Sequence, residues 1–329
     1  MALIPAKGSN ASHDRRACGF RPLELTREMM TTLMKAGLLL LFCALGAVAN
    51  AAEGVPAFKV TAPNGAESTL IGSMHIPYVG LRQPAPTVLD GANHLVIEHT
   101  TADQKLDLTP APEVLDSSMT RTARRADWAQ FLTIEQVEHL RSNISCYLPA
   151  PSAGEVLEIV LQAKSPRIAE SFAYAPCDKE GKKSRDEMLN LAAAQRRVPI
   201  VALERQDEVE SRRRQVPDRL YLIGLKAGLA PDINCAYADL VGAFNIGDFD
   251  SIARLAESVY TNPSDRALFH RLIVGERNVA WMSGLRAMLD QGRAVVLVGA
   301  AHLPGSDGII ALLREGGYQV EPVILPATE

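Results

Sequence analysis

STLIGSMHIP at Ser68–Pro77 and AVVLVGAAHLPG at Ala294–Gly305 decide how this chain is read. Each is an apolar run that ends in glycine, reaches a histidine three residues later, and meets a proline that stops a simple ladder. One copy carries little. Two copies, near opposite ends of the chain, carry a shared grammar of strand, G-x-x-H, Ile/Leu-Pro, helix and strand. TLIGSMHIP continues to VLDGANHLVIE as VLVGAAHLP continues to LLREGGYQVEP. The pattern reads as an internal duplication.

Between the two copies the period changes. AFKVTAPNGAESTLIGS gives two strands around the turn Pro63–Ala66, and NHLVIEHT gives an apolar strand ending in Glu98. A helix is expected near 87–92. From about 112 to 195 the spacing turns helical, with a Thr133–Gln136 capping box ahead of Ile134, Val137 and Leu140. VPIVALE is then a short strand closing in Glu204. Helices are expected over 206–228, 232–244, 250–260 and 263–291, before the second G-x-x-H copy, a helix at 308–315 and a strand at 319–324. Strands separated by helices predict an α/β fold: a mixed, largely parallel central sheet built from two related halves, with a helical insertion between them.

The N-terminus is read separately. Lys35, the apolar run Ala36–Val48 and the small-x-small site at Ala49–Ala51 form a secretory signal peptide over 34–51. Residues 1–33 sit awkwardly ahead of it and read as a mis-assigned start, the true one being Met34, Met29 or Met30. A single domain is expected over 52–329, periplasmic or secreted, with no membrane span once the signal is cleaved. Losing six basic and three acidic residues with that leader takes the formal charge from −4 to −7. A mildly acidic chain without a basic stripe is a poor match for nucleic acid. The basic runs RTARR (121–125) and SRRRQ (211–215) lie among acids on expected helices and read as solvated faces. Cys146, Cys177 and Cys235 remain, an odd number. One disulfide is expected in an oxidising compartment. Cys146 and Cys177, both in polar connecting sequence, are the favoured pair, with Cys235 a core thiol.

In open α/β sheets, ligands gather beyond the carboxyl ends of the strands. His75, Glu98, Glu204 and His302 all stand at such ends. Gly72 and Gly299 are expected to let the chain turn sharply there with no Cβ in the way. Two imidazoles with one or two carboxylates suit a divalent metal and its activated water, and a spare carboxylate suits a general base. Taken singly, a histidine after a strand is more often a hydrogen-bonded loop residue. The matched contexts are what raise both. His99 points to the other face of an extended chain, and His94, His139 and His270 have no distinctive setting. In GERNVAW, Arg277 stacks on Trp281 at i, i+4, flanked by Glu276 and Asn278. Arg277 is expected to bind a substrate carboxylate or stabilise developing negative charge. The plainer reading pairs it with an acid and gives it only the helix to hold.

LIGSMHIP, HLVIE, VPIVALE, ERNVAWMSGL and LVGAAHLPGSDGIIALLREGGYQVEPV together resemble the TraB/GumN family, related to the TIKI metalloproteases, over roughly 55–327. The resemblance implies a fold akin to the erythromycin esterase-like proteins and a divalent-metal-dependent hydrolase, peptidase-like, using Mn, Co or Zn. It makes His75 and His302 metal ligands or catalytic histidines, Glu98 their acidic partner and Arg277 with Asn278 the polar contribution of the helix. The chain departs from the pattern at His99-Thr100-Thr101, where many relatives carry an acid. The substrate expected is a peptide or small molecule. Two rivals stand beside the enzyme: a protein that sequesters a peptide or haem-like ligand in the same pocket, and an accessory factor in polysaccharide export.

Overall fold

The computed structural model describes residues 54–100, 108–115, 125–148, 152–175 and 183–328. All lie in the unit Ala51–Glu329. The leader expected over 1–51 falls outside the described residues.

Six strands form one mixed sheet: β1 (Gly54–Thr61), β2 (Glu67–Ser73), β3 (His94–Ile97), β4 (Ile200–Ala202), β5 (Ala294–Gly299) and β6 (Gln319–Pro326). Their order is β4-β3-β5-β2-β1-β6. The four strands from β4 to β2 are parallel, and β1 runs antiparallel to both β2 and β6. The two G-x-x-H strands are therefore central neighbours. They are out of step by one residue: Gly72 pairs with Val298, and Ser73 with Gly299. The chain leaves this central pair in opposite directions, β2 leading on to β3 and β5 to β6.

Side chains alternate along the strands, and helices cover both faces. Leu70, Val96, Val296 and Val298 pack with α8 (Ile233–Ile246), α9 (Phe249–Glu257), α11 (Glu276–Gln291) and α12 (Ile309–Glu315). Ile71, Leu95, Ile97, Val295 and Leu297 pack with Leu189, Ala192 and Ala193 of α5 (Arg185–Arg196). β5 is buried throughout, which is why its sequence is an unbroken apolar run. The helical insertion has its own core. There α2 (Ile134–Ser145), α3 (Ser152–Gln162) and α4 (Arg167–Ala173) pack with α7 (Asp218–Gly228).

Several expectations need correcting. Pro217 splits the helix expected over 206–228 into α6 (Gln206–Arg213) and α7. The long helix of 263–291 is α10 (Pro263–His270), a π-helical turn (Arg271–Gly275) and α11. A 3-10 turn, Pro86–Leu89, replaces the helix near 87–92. The Thr133 capping box forms, but Ile134 ahead of it is 79% exposed while Val137 and Leu140 are buried. Cys146 and Cys235 are both disulfide-bonded, so Cys235 is not a spare core thiol; Cys177, the partner expected for Cys146, lies outside the described residues. Among the described residues no helix is long and apolar enough to cross a membrane.

Candidate functional site

The carboxyl ends of β2, β3, β4 and β5 bring His75, Glu98, Glu204 and His302 to one edge of the sheet, and Arg277 of α11 reaches into their midst. Its guanidinium is fully used. Nε donates to Glu204 Oε1 (2.9 Å). Nη1 donates to the Ile273 carbonyl (3.1 Å) and to His302 Nε2 (3.2 Å). Nη2 donates to Glu98 Oε2 (2.7 Å) and to Glu204 Oε1. Those five hydrogens are all a guanidinium has. An oxyanion would have to take one of them from a buried partner. The ring of Trp281 lies 4.7 Å below the guanidinium carbon, as the i, i+4 spacing predicts. Glu276 pairs elsewhere, with Arg212 and Arg271.

His302 is the inner histidine, 5% exposed and stacked near Trp281 (ring centroids 4.6 Å). Asn278 Nδ2 donates to the carbonyls of His302 (3.2 Å) and Asp307 (2.9 Å), which leaves Asn278 Oδ1 to accept. His302 Nδ1, 2.7 Å from that oxygen, therefore carries the proton, and Nε2 accepts from Arg277. Burial, reinforced by the Arg277 charge, pushes its pKa down to about 3. His302 is a neutral imidazole.

His75 is the outer histidine, its side chain 55% exposed. Its Nδ1 lies 3.3 Å from Asp186 Oδ2, and its Nε2 lies 3.4 Å from Glu98 Oε1. Desolvation opposes charge on this ring, but the Glu98 charge and the Asp186 hydrogen bond outweigh it and hold the pKa well above the ordinary histidine value. Burial likewise opposes charge on Glu98. The cationic neighbours His75 and Arg277 reverse that and keep the carboxyl ionised well below its usual range.

The glycines act by close approach. Neither has positive φ. A Cβ on Gly299 would stand 2.8 Å from His75 Nε2 and 3.0 Å from Glu98 Oε1, while its N–H donates to that same oxygen (2.6 Å). A Cβ on Gly72 would meet Phe249, Ala300 and Leu303 at 2.8–3.1 Å. The sharp turn expected at these positions is corrected to a packing requirement.

Sequence reading passed over the start of α5. Ser184 and Glu187 form a capping box there. Behind it Arg185 is fully buried and donates to the carbonyls of Gly72 (2.6 Å) and Arg82 (2.7 Å). Asp186 accepts from Ser73 Oγ and faces His75. SRDE was read only as an amphipathic helix. Its available signal was a capping box with a buried-type cation and an acid in the first turn. His270, dismissed from sequence, is gripped by Glu257 (2.5 Å) and Asp307 (2.9 Å); the Glu257 hydrogen bond, then that of Asp307, raises its pKa to about 9. His99 stays apart, against the Thr100 carbonyl (3.4 Å). His139 does too, against Leu229.

The expected metal can be tested against these donors. Arg277 holds His302 Nε2 and Glu98 Oε2, and Gly299 N–H holds Glu98 Oε1. His75, the spare lone pairs of Glu98, the second oxygen of Glu204 and Asp186 Oδ1 remain, but among the described residues no three such side chains are grouped to hold one ion. Structural sites use about four ligands and catalytic ones about three plus water. The set as arranged therefore does not fit a divalent ion.

A sequence model of the TraB/PrgY/gumN family matches residues 56–322. The chain belongs to this family. It is 26% identical over 271 residues to the uncharacterized protein YbaP of Shigella flexneri, an alignment covering 79% of this chain and 92% of YbaP. No solved structure matches.

Proposed function

We propose that this TraB/PrgY/gumN protein is an exported hydrolase of peptide or related acyl bonds, in which His75 moves the proton. One observation carries the reading. His75 is the exposed titratable group of the cluster, oriented through Nδ1 by Asp186, with Nε2 beside an oxygen of Glu98. With the ring deprotonated, on the alkaline side of its raised pKa, an attacking water beside Nε2 and Glu98 Oε1 gives its proton to Nε2 as its oxygen adds to the carbonyl carbon. The imidazolium returns a proton to the leaving nitrogen as the C–N bond breaks. Asp186 fixes the ring and balances its charge. Arg277, Glu204, His302 and Asn278 hold Glu98 in place from behind. Export rests on the leader reading and is supported by the bonded state of Cys146 and Cys235, which suits an oxidising compartment.

The test is cleavage of a peptide library by the purified protein, read by mass spectrometry with chelator, without it, and with added Mn²⁺, Co²⁺ or Zn²⁺. Cleavage that survives chelation and falls by about 10²–10⁴ in His75→Gln is the expected result. Cleavage abolished by chelator and restored by one ion would return the metal to the site. No cleavage under any condition would favour a sequestering protein.

A further inference from the structure

A second polar feature lies outside this cluster. Helices α4, α6 and α7, the end of α10 and the π-helical turn line an open pocket of about 470 Å³. Its aromatic walls are Tyr147, Phe172, Tyr221 and Phe269. Glu170 of α4 lines it with a carboxyl that no group among the described residues hydrogen-bonds or ion-pairs. That carboxyl lies directly on the backbone of α7: a Cβ on Gly224 would stand 1.8 Å from Oε1. The two nearby arginines are already committed. Arg167 donates to Glu210 Oε2 (2.5 Å) and Arg213 to Glu210 Oε1 (3.3 Å). Glu170 is only partly buried, so its open carboxyl is reachable by a ligand from the pocket. What is missing is a cationic donor, and aromatic faces are the walls that favour one.

We propose that this cavity is a binding site for a primary ammonium group, the side chain of a lysine or the free N-terminus of a peptide, with Glu170 as its counter-ion. The proposal rests on the peptide-hydrolase reading and names its substrate class. The cavity is coupled to the catalytic cluster by position. Ile273 forms part of its wall, and the carbonyl of Ile273 accepts from Arg277 Nη1 (3.1 Å). The pocket wall at Ile273 thus lies one helical turn from Arg277, the residue that fixes Glu98.

Protonation supports the assignment. Burial raises the Glu170 pKa to about 8, with the Arg213 and Arg167 charges offsetting only part of it. The groups facing it are Arg167 and Tyr174 from its own segment, Arg213 and Glu210 of α6, Tyr221 of α7 and Tyr260 after α9. At pH 7 the empty site is mostly a neutral acid, so an arriving ammonium ionises it and a proton is released.

Calorimetry on the full chain carrying His75→Gln separates binding from turnover. The probes are an N-acetylated, C-amidated tetrapeptide with one lysine, its norleucine counterpart, and an unblocked norleucine peptide with a free N-terminus. The lysine or free-amine peptide, whichever source the site takes, binds about 10- to 100-fold more tightly than the blocked norleucine peptide, the margin of one charged hydrogen bond. Binding at pH 7 releases close to one proton, by comparison of buffers of different ionisation enthalpy, and much less at pH 9. Adding Glu170→Gln, which keeps the packing over Gly224, removes both the preference and the proton. Equal affinity for blocked norleucine and ammonium peptides, no binding by any of them, or a preference that survives Glu170→Gln would overturn the proposal. None of these results depends on whether the protein hydrolyses peptides.

Discussion

The two G-x-x-H copies place matching histidines on neighbouring parallel strands, yet the structure gives them opposite lives. His302 is sealed between Asn278, Arg277 and Trp281, neutral, with both ring nitrogens committed. His75 is open to solvent on one side and held between Asp186 and Glu98. The difference comes from what each half borrows. The second copy is served by α11, which supplies an arginine and an amide. The first is served by α5, which supplies a carboxylate at its N-terminal turn. The sequence carries a pair of motifs; the helices around them make one histidine inner and buried and the other outer and solvent-facing.

The comparison breaks most forcefully at Arg277, which holds two buried carboxylates and the inner imidazole. Arg277→Met should cost about 3–5 kcal/mol in chemical denaturation, because Glu98 and Glu204 are left buried and unpaired. A loss under 1 kcal/mol would mean the network contributes little. Exchanging the histidines in turn sharpens the contrast. His75→Gln should cost about 1 kcal/mol or less, as its half-exposed ion pairs with Glu98 and Asp186 are lost, while removing most of the activity. His302→Gln should cost about 1–3 kcal/mol through a broken buried hydrogen-bond chain. Equal stability losses would erase the distinction. Gly299→Ala comes next, at about 1–3 kcal/mol, since the new methyl enters the space shared by His75 and Glu98.

The smallest effect is a pH dependence at His270, which ties α9 and α10 to the loop after His302. Its folded pKa lies above the ordinary value, so the protonated form is favoured by folding. The stabilisation is complete below about pH 6.5 and fades as pH rises through about 9. His270→Asn should flatten the stability profile across that window. An unchanged profile would remove His270 from the account.

Much of this was legible in the chain. The apolar runs before Gly72 and Gly299 read as buried parallel strands because both faces of β2 and β5 are covered. His75, Glu98, Glu204 and His302 converge because parallel strands end at one edge. Period and strand polarity carry that information. They do not carry which side chain fills the middle of the cluster. Arg277 was read either as facing substrate or as paired with an acid, and only the folded packing shows its hydrogens consumed by Glu98, Glu204, His302 and Ile273. Asp186 and Arg185 were passed over because their roles depend on where α5 docks, a tertiary fact with no local period. The glycines were read as leaving no Cβ in the way of a turn; that the space is claimed by His75 at Gly299 and by Phe249 at Gly72 is something no stretch of β2 or β5 encodes.

The most direct test is a pH titration of the imidazole ¹⁵N signals of His75 and His302, with and without Zn²⁺. The account predicts that across pH 6–8 His302 stays a neutral Nδ1–H tautomer while His75 keeps its proton to higher pH than an ordinary histidine. It also predicts that stoichiometric Zn²⁺ moves neither His302 signal. If both histidines instead shift together on one equivalent of Zn²⁺, they are a matched pair of ligands, and the division into inner and outer roles is wrong.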